Sequence, residues 1–421
     1  MLEADEAGPA AIVSRRASDR LRAGHLWVYR TDVEAMIPAL GAVNLVPGSI
    51  VTLLDSRRIP LGSALFSGAS QIALRKVSPE PRVSRGEYLE DVAVRVRLAL
   101  QLRQSMLREV ADTDSVRLVF SEADNLPGIV VDRYRNLVIL QLLTQGTAQD
   151  DLREVLAREL AVDGVDAVIE RPDPRIREVE DLPLPSAEPL FLREGTAGPA
   201  KTVFTLNGLA LQYDANAGQK TGAFLDQRLN YAAAAAAHVS AHGAGNGEAL
   251  DICTYQGGFA LHLARVAKTV TGVDASRSSL ETAEANLDRN RSLIPAEVDW
   301  IEADAFELLR SYDAEKRQFD TIVLDPPAFA KTKRAAEGAM RGYKELNLRA
   351  LRMLRPGGVL VTCSCSHHVS LEMFRATVAE AAADAGRTVR VVETRGAAPD
   401  HPEVLTLPET GYLKCLILRV E

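Results

Sequence analysis

The sequence has 421 residues, of which 47% are hydrophobic and 25% are charged. These values are typical of globular proteins, so they exclude a disordered or fibrous chain, and the length predicts two or three domains. The formal net charge of −8 excludes a protein that coats nucleic acid by bulk electrostatics, because phosphate contacts need clustered Lys and Arg. Neither a segment of roughly 20 apolar residues nor a signal peptide is present, so we expect a cytoplasmic protein without a membrane span.

Residues 1–80 contain short β-type segments, such as SIVTLLD at 49–55, separated by turn residues. This pattern predicts a small β barrel or sandwich. A helical pattern begins near residue 85 and is followed by a β-hairpin and a helix at about 149–161, which indicates a small α+β domain over 85–205. Residues 171–200 are rich in Pro and charged residues, and we expect them to be irregular.

Residues 206–421 have a different pattern, because short Val, Ile and Leu runs alternate with helical segments. Buried apolar strands that alternate with helices predict a parallel, doubly wound α/β sheet, here a Rossmann-like domain. The last two strands have no helix between them, so we expect them to form an antiparallel hairpin at the edge of the sheet.

The first strand of this domain, LDIC, leads into the glycine-containing turn TYQGGFA. Gly257 and Gly258 would let the backbone approach a ligand closely, although a tight strand-to-helix turn is the alternative interpretation. The full G-x-G-x-x-G cradle is missing, and the carboxylate of Asp251 would repel a pyrophosphate. A cationic ligand fits better, and S-adenosylmethionine carries a sulfonium and an ammonium group.

Two more acidic residues follow later strands. Asp274 fits the carboxylate that binds ribose hydroxyls, with a helix N-cap as the alternative. Asp304 is a weaker candidate for contact with the adenine amine, and the neighbouring Phe306 is equally compatible with a core position.

The fourth strand ends in DPPAF, from Asp325 to Phe329. Pro326 and Pro327 stiffen the loop, and Phe329 would stack on an unstacked base. The motif favours base methylation without specifying the atom, and its structural alternative is a proline-terminated buried strand.

The fifth strand ends in VTCSCSHH, and in the usual strand order it lies beside the DPP strand. Cytosine carbon 5 reacts only after a nucleophile adds to carbon 6, and a thiolate suits that step. Cys365 is therefore our candidate nucleophile and Cys363 is second, while Cys253 and Cys415 are expected to be inert core residues. The four cysteines are expected to be reduced, and no metal is expected because C-x-C-x-H-H lacks a fourth zinc ligand.

Several segments, in order along the chain, resemble the RlmI-type large-subunit ribosomal RNA cytosine-5 methyltransferases. They are GHLWVYRTDV, ADNLPGIVVDRY, QKTGAFLDQRLN, TYQGGFA, DPPAFAKTK, RGYKELN, TCSCS and DHPEVLTLPETGYLKC. The resemblance implies an N-terminal PUA domain over 1–80, a central α+β domain over 85–205 and a C-terminal methyltransferase domain over 206–421. It also implies large-subunit ribosomal RNA as the partner, with a homodimer left open.

The resemblance implies a set of cofactor contacts on matching positions. These are Lys220, Thr221, Phe224, Asp226, Gln227, Arg228, Asp251, Tyr255, Gly257, Gly258, Asp274 and Asp304. The family's S-C-S matches Ser364 to Ser366, which again favours Cys365. In two-cysteine enzymes a second cysteine occupies the position of Ala328. This chain lacks that cysteine, and Asp325 is a candidate only for orienting the base.

A basic cluster between residues 331 and 355 predicts contacts with substrate phosphates, in which Lys331, Lys333 and Arg334 would take part. Two alternatives to cytosine methylation remain. One is a guanine-nitrogen methyltransferase of the same fold, which needs no cysteine. The other is a non-catalytic RNA-binding protein that retains the fold.

Overall fold

The computed structural model describes residues 8–107, 112–196, 200–216, 222–329 and 336–421. The chain forms two compact units. Unit 1 comprises Met1–Phe204, Tyr213–Gly222 and Asp400–Thr410, and unit 2 comprises Thr205–Gln212, Ala223–Pro399 and Gly411–Glu421. None of the described helices combines the length with the apolar character that crossing a bilayer requires.

Unit 1 begins with a six-stranded sheet in the order β2-β6-β5-β4-β1-β3. Its elements are β1 (Ala10–Val13), α1 (Arg15–Arg22), β2 (Trp27–Tyr29), β3 (Val33–Ile37), β4 (Ile50–Leu54), β5 (Pro60–Phe66) and β6 (Ile72–Ser78). All neighbouring strands are antiparallel except β1 and β4, which run parallel. The β-rich character predicted for this region is confirmed.

The second part of unit 1 is a five-stranded sheet in the order β11-β10-β9-β8-β7 with three helices. Its elements are α2 (Arg85–Leu107), β7 (Ser115–Phe120), β8 (Ile129–Tyr134), β9 (Leu137–Leu142), α3 (Asp150–Leu160), β10 (Ala167–Glu170), α4 (Pro174–Val179) and β11 (Phe191–Leu192). Helix α4 corrects the expectation that 171–200 is irregular. The Asp173 side chain accepts a hydrogen bond from the Ile176 amide and so caps this helix, which begins at a proline.

Strands β12 (Lys201–Leu206) and β13 (Leu209–Asp214) pair with each other in a separate two-stranded sheet. Unit 2 then contains a seven-stranded sheet in the order β16-β15-β14-β17-β18-β20-β19. Its strands are β14 (Glu248–Ile252), β15 (Thr269–Asp274), β16 (Glu297–Glu302), β17 (Phe319–Leu324), β18 (Leu354–Ser364), β19 (Val389–Arg395) and β20 (Lys414–Val420). Its helices are α5 (Arg228–His242), α6 (Gly258–Ala264), α7 (Arg277–Arg289), α8 (Ala305–Ala314), α9 (Ala336–Met353) and α10 (Leu371–Ala385).

Strands β14 to β18 are mutually parallel, as the alternation of strands and helices predicted. Strand β20 is antiparallel to both β18 and β19, so the predicted antiparallel pair is also present. The pair is not a simple addition to the edge, however, because β20 lies between β18 and β19. Of this pair, β19 is the edge strand, and β16 forms the opposite edge of the sheet.

The core of unit 2 explains the apolar strand pattern. Leu250, Ile322 and Leu360 come from the three central parallel strands, and each is fully buried. Tyr343 and Phe374, on α9 and α10, pack against the same core. Since side chains buried on a parallel sheet need no alternation with polar residues, the continuous Val, Ile and Leu runs follow from this position in the fold.

Candidate active site

The carboxyl ends of four neighbouring parallel strands meet at one edge of the unit 2 sheet. Ile252, at the end of β14, is paired with Val273 of β15 and with Leu324 of β17. Leu324 is in turn paired with Thr362 of β18. The predicted neighbourhood of the DPP strand and the cysteine strand is therefore confirmed, and their following loops lie side by side.

The turn after β14 has an unusual backbone. Cys253, Tyr255 and Gly257 have φ values of 65°, 52° and 87°, a region that non-glycine residues seldom adopt. Such conformations persist only where the surroundings enforce them, and they concentrate at ligand sites. The turn is held from the next strand, because the Tyr255 amide donates a hydrogen bond of 2.9 Å to Oδ2 of Asp274.

Glycine is required at two positions of this turn for different structural reasons. Gly257 supplies the left-handed conformation at the N-terminus of α6. Gly258 instead makes room for a protein side chain, since a β-carbon there would lie 2.5 Å from Cζ of Tyr231. Packing of the Tyr231 side chain therefore requires glycine at position 258, whereas the sequence analysis expected the close approach of a ligand there.

Asp251 is completely buried at the end of β14. Its Oδ2 accepts hydrogen bonds from the Thr254 hydroxyl at 2.5 Å and the Ala260 amide at 2.9 Å. Oδ1 is also buried and has no hydrogen-bond partner among the described residues. Burial raises the pKa of this carboxyl to about 7, so the site favours a partner that brings positive charge.

The other two acidic candidates are engaged by main-chain amides. Asp274 accepts hydrogen bonds from the amides of Tyr255 and Ser276, each at 2.9 Å. Ser276, two residues later, is the N-cap of α7, so the N-cap interpretation does not hold for Asp274 itself. Asp304 is the N-cap of α8, where Oδ1 accepts from Phe306 and Glu307.

Four carboxylates nonetheless lie near enough to the Cys253 thiol to act on its pKa. Burial raises the pKa of the Cys253 thiol strongly, and the negative charges of Asp274, Asp325, Asp251 and Asp304 raise it further, in that order of size. These surroundings disfavour the thiolate of the partly buried Cys253, which makes it a poor nucleophile. The same charges make this edge of the sheet attractive to a cation.

Residues 224–228, just before and at the start of α5, contribute further groups to the site. The Phe224 ring lies 5.0 Å from that of Tyr255. Asp226 accepts a hydrogen bond from the hydroxyl of Tyr412, and its other oxygen is buried without a partner among the described residues. Arg228 is buried at the start of α5, and its carbonyl accepts a hydrogen bond of 2.8 Å from Asn207. The candidates Lys220 and Thr221 lie outside the described residues.

Gln227 connects this segment to the DPP loop. Its Nε2 donates a hydrogen bond of 2.9 Å to Oδ2 of Asp325, and its Oε1 accepts one of 2.7 Å from Asn230. Asn230 in turn accepts a hydrogen bond of 2.9 Å from Arg395. Neither Asn230 nor Arg395 was predicted from the sequence, since no local motif marks them and they act on Asp325 only through Gln227.

The DPP loop lies partly inside the domain. Pro326 is buried and Pro327 is exposed. The Phe329 ring is partly buried, with its centroid 4.9 Å from that of Tyr343 and 5.9 Å from that of Phe306. Phe329 and Phe306 thus pack against the core of the domain, which for Phe306 is the alternative position considered in the sequence analysis. The basic candidates Lys331, Lys333 and Arg334 lie outside the described residues.

The two cysteines of the fifth strand have different surroundings. Cys363 is fully buried and lies opposite Cys415 of β20. Burial, together with the neighbouring Cys415, raises the pKa of its thiol well above the usual value. Cys365 lies just past the end of β18 and is partly exposed, and its Sγ is 3.8 Å from the carbonyl oxygen of Pro326. Of the two, Cys365 has the access that a nucleophile needs.

Two residues next to Cys365 had no signal in the sequence analysis. The phenolic oxygen of Tyr343 lies 2.9 Å from Oγ of Ser364 and 3.0 Å from Oγ of Ser366, the residues on either side of Cys365. Lys414 is buried at the start of β20, and its ammonium group donates hydrogen bonds to the carbonyls of Ser366 and Tyr412. The only available hint was that RGYKELN and GYLKC belong to the segments that carry the family resemblance.

Comparisons with known proteins place this geometry in a family. A model of a PUA-like domain matches residues 11–79, and a model of an S-adenosylmethionine-dependent methyltransferase matches residues 196–419. A relative from Shewanella amazonensis named "Ribosomal RNA large subunit methyltransferase I" is 39% identical over 94% of this chain and 95% of its own. A relative of the same name from Klebsiella pneumoniae is 32% identical over 99% of both chains.

The chain belongs to the ribosomal RNA large subunit methyltransferase I family. The family resemblance noted in the sequence is therefore confirmed, and S-adenosylmethionine is the cofactor of the methyltransferase domain. The predicted fold class is confirmed as well, with an N-terminal PUA-like domain and a C-terminal Rossmann-like methyltransferase domain. A solved S-adenosylmethionine-dependent methyltransferase from Streptococcus mutans shares the fold at 18% identity, with a TM-score of 0.78 over 97% of this chain and 99% of that one.

Proposed function

We propose that this member of the family methylates carbon 5 of a cytosine in large-subunit ribosomal RNA, with Cys365 as the nucleophile. The methyltransferase family and the names of relatives that cover nearly the full chain support the reaction class and the type of RNA. The observation that carries the choice of atom is the partly exposed thiol of Cys365 beside the DPP loop, 3.8 Å from the Pro326 carbonyl.

The residues after β14 and β15 fit the methyl donor. The unpartnered buried oxygen of Asp251 is suited to a cationic group, and Asp274 is held by two amides in the position expected for a ribose contact. Phe224 and Tyr255 add apolar surface, and Asp226, Gln227, Arg228, Gly257, Gly258 and Asp304 complete the proposed set with the undescribed Lys220 and Thr221. Bound S-adenosylmethionine supplies an electrophilic methyl group.

The chemistry of the chain itself begins at sulfur. The Cys365 thiolate adds to carbon 6 of the cytosine, which gives carbon 5 the electron density to accept a methyl group. A solvent base then takes the proton from carbon 5, the electron pair of that bond restores the double bond between carbons 5 and 6, and the bond between carbon 6 and sulfur breaks to release the thiolate. Asp325, oriented by its hydrogen bond from Gln227, is proposed to hold the amino edge of the base. The DPP loop and the basic residues after it are proposed to line the path of the RNA.

A covalent trap tests this proposal. Large-subunit ribosomal RNA transcribed with 5-fluorocytidine should form a denaturation-resistant complex with the full chain when S-adenosylmethionine is present, because fluorine cannot leave carbon 5 as a proton does. Cys365→Ala should form no complex and transfer no methyl group. Cys363→Ala is the matched control and should form the complex, since Cys363 is buried.

Two results would contradict the proposal. A methylated guanine in unmodified RNA, found by nucleoside mass spectrometry without any covalent complex, would show nitrogen chemistry. Full methyl transfer by Cys365→Ala would show that this sulfur is not the nucleophile.

A further inference from the structure

Lys414 is a buried cation without a carboxylate. Only 6% of the residue is exposed. Its Nζ donates hydrogen bonds of 2.7 Å each to the carbonyls of Ser366 and Tyr412, and within the described part of the chain it forms no ion pair. An ammonium group carries three protons, so the two carbonyls use two of them. Burying a charged lysine is costly, and a lysine kept at such a position normally meets an anion.

The surroundings of Lys414 identify that anion. Strand β20 pairs with β18 so that Lys414 is opposite Ser364, the residue before Cys365. Burial lowers the pKa of Lys414 to about 8, and a negative charge on Cys365 opposes this effect. Cys365 is the only ionisable group in the described chain that acts on Lys414 in this way. At neutral pH the lysine is therefore mostly protonated, and its ammonium group is bonded to the carbonyl of the residue after Cys365.

Three further groups in the described part of the chain lie near Cys365. Tyr343, from α9, is neutral because burial raises its pKa. Asp325 precedes Pro326, whose carbonyl oxygen lies 3.8 Å from the sulfur. His367 follows two residues later and lies against Tyr412, with ring centroids 5.3 Å apart. Lys414 of β20, by contrast, is a buried cation that contacts both neighbours of Cys365, through strand pairing with Ser364 and a hydrogen bond to the Ser366 carbonyl.

We propose that Lys414 is a positioning residue whose ammonium group stabilises the thiolate of Cys365, an inference that rests on the proposed role of Cys365 as the nucleophile. The ammonium group lowers the energy of the sulfur anion before it adds to the base and again when it is released. Its two main-chain hydrogen bonds fix the ammonium group beside the Cys365 loop. The lysine also acts from a strand that follows the cysteine by almost 50 residues, which is why no local motif includes it.

The test measures the thiol directly, without RNA or cofactor. Full-length wild type, Lys414→Gln and Lys414→Arg are alkylated with iodoacetamide from pH 6 to pH 10, and modification of Cys365 is followed by peptide mass spectrometry. Glutamine keeps two N–H donors for the carbonyls and removes the charge, whereas arginine keeps the charge. We expect Lys414→Gln to react at least about tenfold more slowly at pH 7, with its half-maximal rate at least about one pH unit higher, and Lys414→Arg to stay near wild type.

An unchanged pH profile in Lys414→Gln would overturn the inference, because a purely structural lysine would leave the thiol's ionisation as it is. Alkylation of Cys363 and Cys415 reports whether a variant has kept its packing. If Lys414→Gln exposes these two cysteines, the variant is no longer informative and the pH profile of Cys365 alkylation in the wild type is used instead. A wild-type midpoint at or above that of an ordinary cysteine, about pH 8.5, contradicts the proposal. Failure of the 5-fluorocytidine complex with a normal alkylation result would instead reject the cytosine reaction and leave the thiolate pair standing.

Discussion

Tyr231 packs directly over the α-carbon of Gly258, so that a methyl group at position 258 would lie 2.5 Å from Cζ of the ring and 2.6 Å from its hydroxyl. Tyr231 is itself fixed by α6, where its ring meets that of Phe259 edge to face at 4.7 Å. The hydroxyl of Tyr231 also donates a hydrogen bond of 3.3 Å to the Phe224 carbonyl. One ring therefore links the turn after β14 with the segment before α5, the two segments proposed to hold the methyl donor.

Gly258→Ala should lower the free energy of unfolding by about 1–3 kcal/mol, because the ring has to move away from a close-packed position. It should also weaken S-adenosylmethionine binding, since Phe224 depends on the same ring. Thermal denaturation and calorimetry measure the two effects. Gly86→Ala is the control, because nothing lies within 4 Å of a β-carbon there and helix α2 should tolerate alanine. Equal stability of the two variants would contradict the packing argument.

Binding of S-adenosylmethionine should depend on pH through Asp251. Its pKa of about 7 in the free protein means that the carboxyl is mostly ionised at pH 8 and mostly protonated at pH 6. A cation prefers the ionised form, so affinity should fall by about tenfold from pH 8 to pH 6. Isothermal titration calorimetry at several pH values measures this change.

Asp251→Asn should bind the cofactor more weakly at pH 8 and should lose most of the pH dependence. The control is Asp288→Asn, an exposed change on α7 that should behave like wild type. A wild-type affinity that stays constant between pH 6 and pH 8 would show that Asp251 does not face the positive charge of the ligand.

Tyr343→Phe should slow methyl transfer by about tenfold while leaving cofactor affinity unchanged. The hydroxyl bridges Ser364 and Ser366, and each lost hydrogen bond is worth about 1 kcal/mol in holding the loop that carries Cys365. Single-turnover rates measure the effect. Tyr312→Phe, the same change on α8, is the control and should keep the wild-type rate. An undiminished rate in Tyr343→Phe would mean that the loop keeps its geometry without the bridge.

The sequence identified those parts of the site that are local. LDIC, LDPP and TCSC each end a buried parallel strand, and parallel strands bring their carboxyl ends to one edge, so the pattern alone predicted that Asp251, Asp325 and Cys365 lie at the same edge of the sheet. The structural reason for Gly258, packing against Tyr231, could not be predicted because Tyr231 is 27 positions earlier in the chain. A side chain that packs from another element leaves no mark beside the glycine it requires.

Residues that reach the site from distant segments could not be predicted. Asn230 and Arg395 act through Gln227, and their hydrogen bond joins positions 165 apart. Lys414 becomes a neighbour of Cys365 only because β20 enters between β18 and β19. Strand order of this kind depends on the packing of the whole sheet, whereas hydrophobic periodicity gives only the existence of each strand.

The central position of β20 also sets an order of events during translation. Chains are made from the N-terminus, so β14 to β19 leave the ribosome before β20 does. Until then β18 lacks one of its two partners, and the Cys365 loop lacks the lysine that we propose stabilises its thiolate. A nascent polypeptide can thus bring β14 to β18 together early, whereas the contact of Lys414 with the Cys365 loop waits until the closing strand has been delivered.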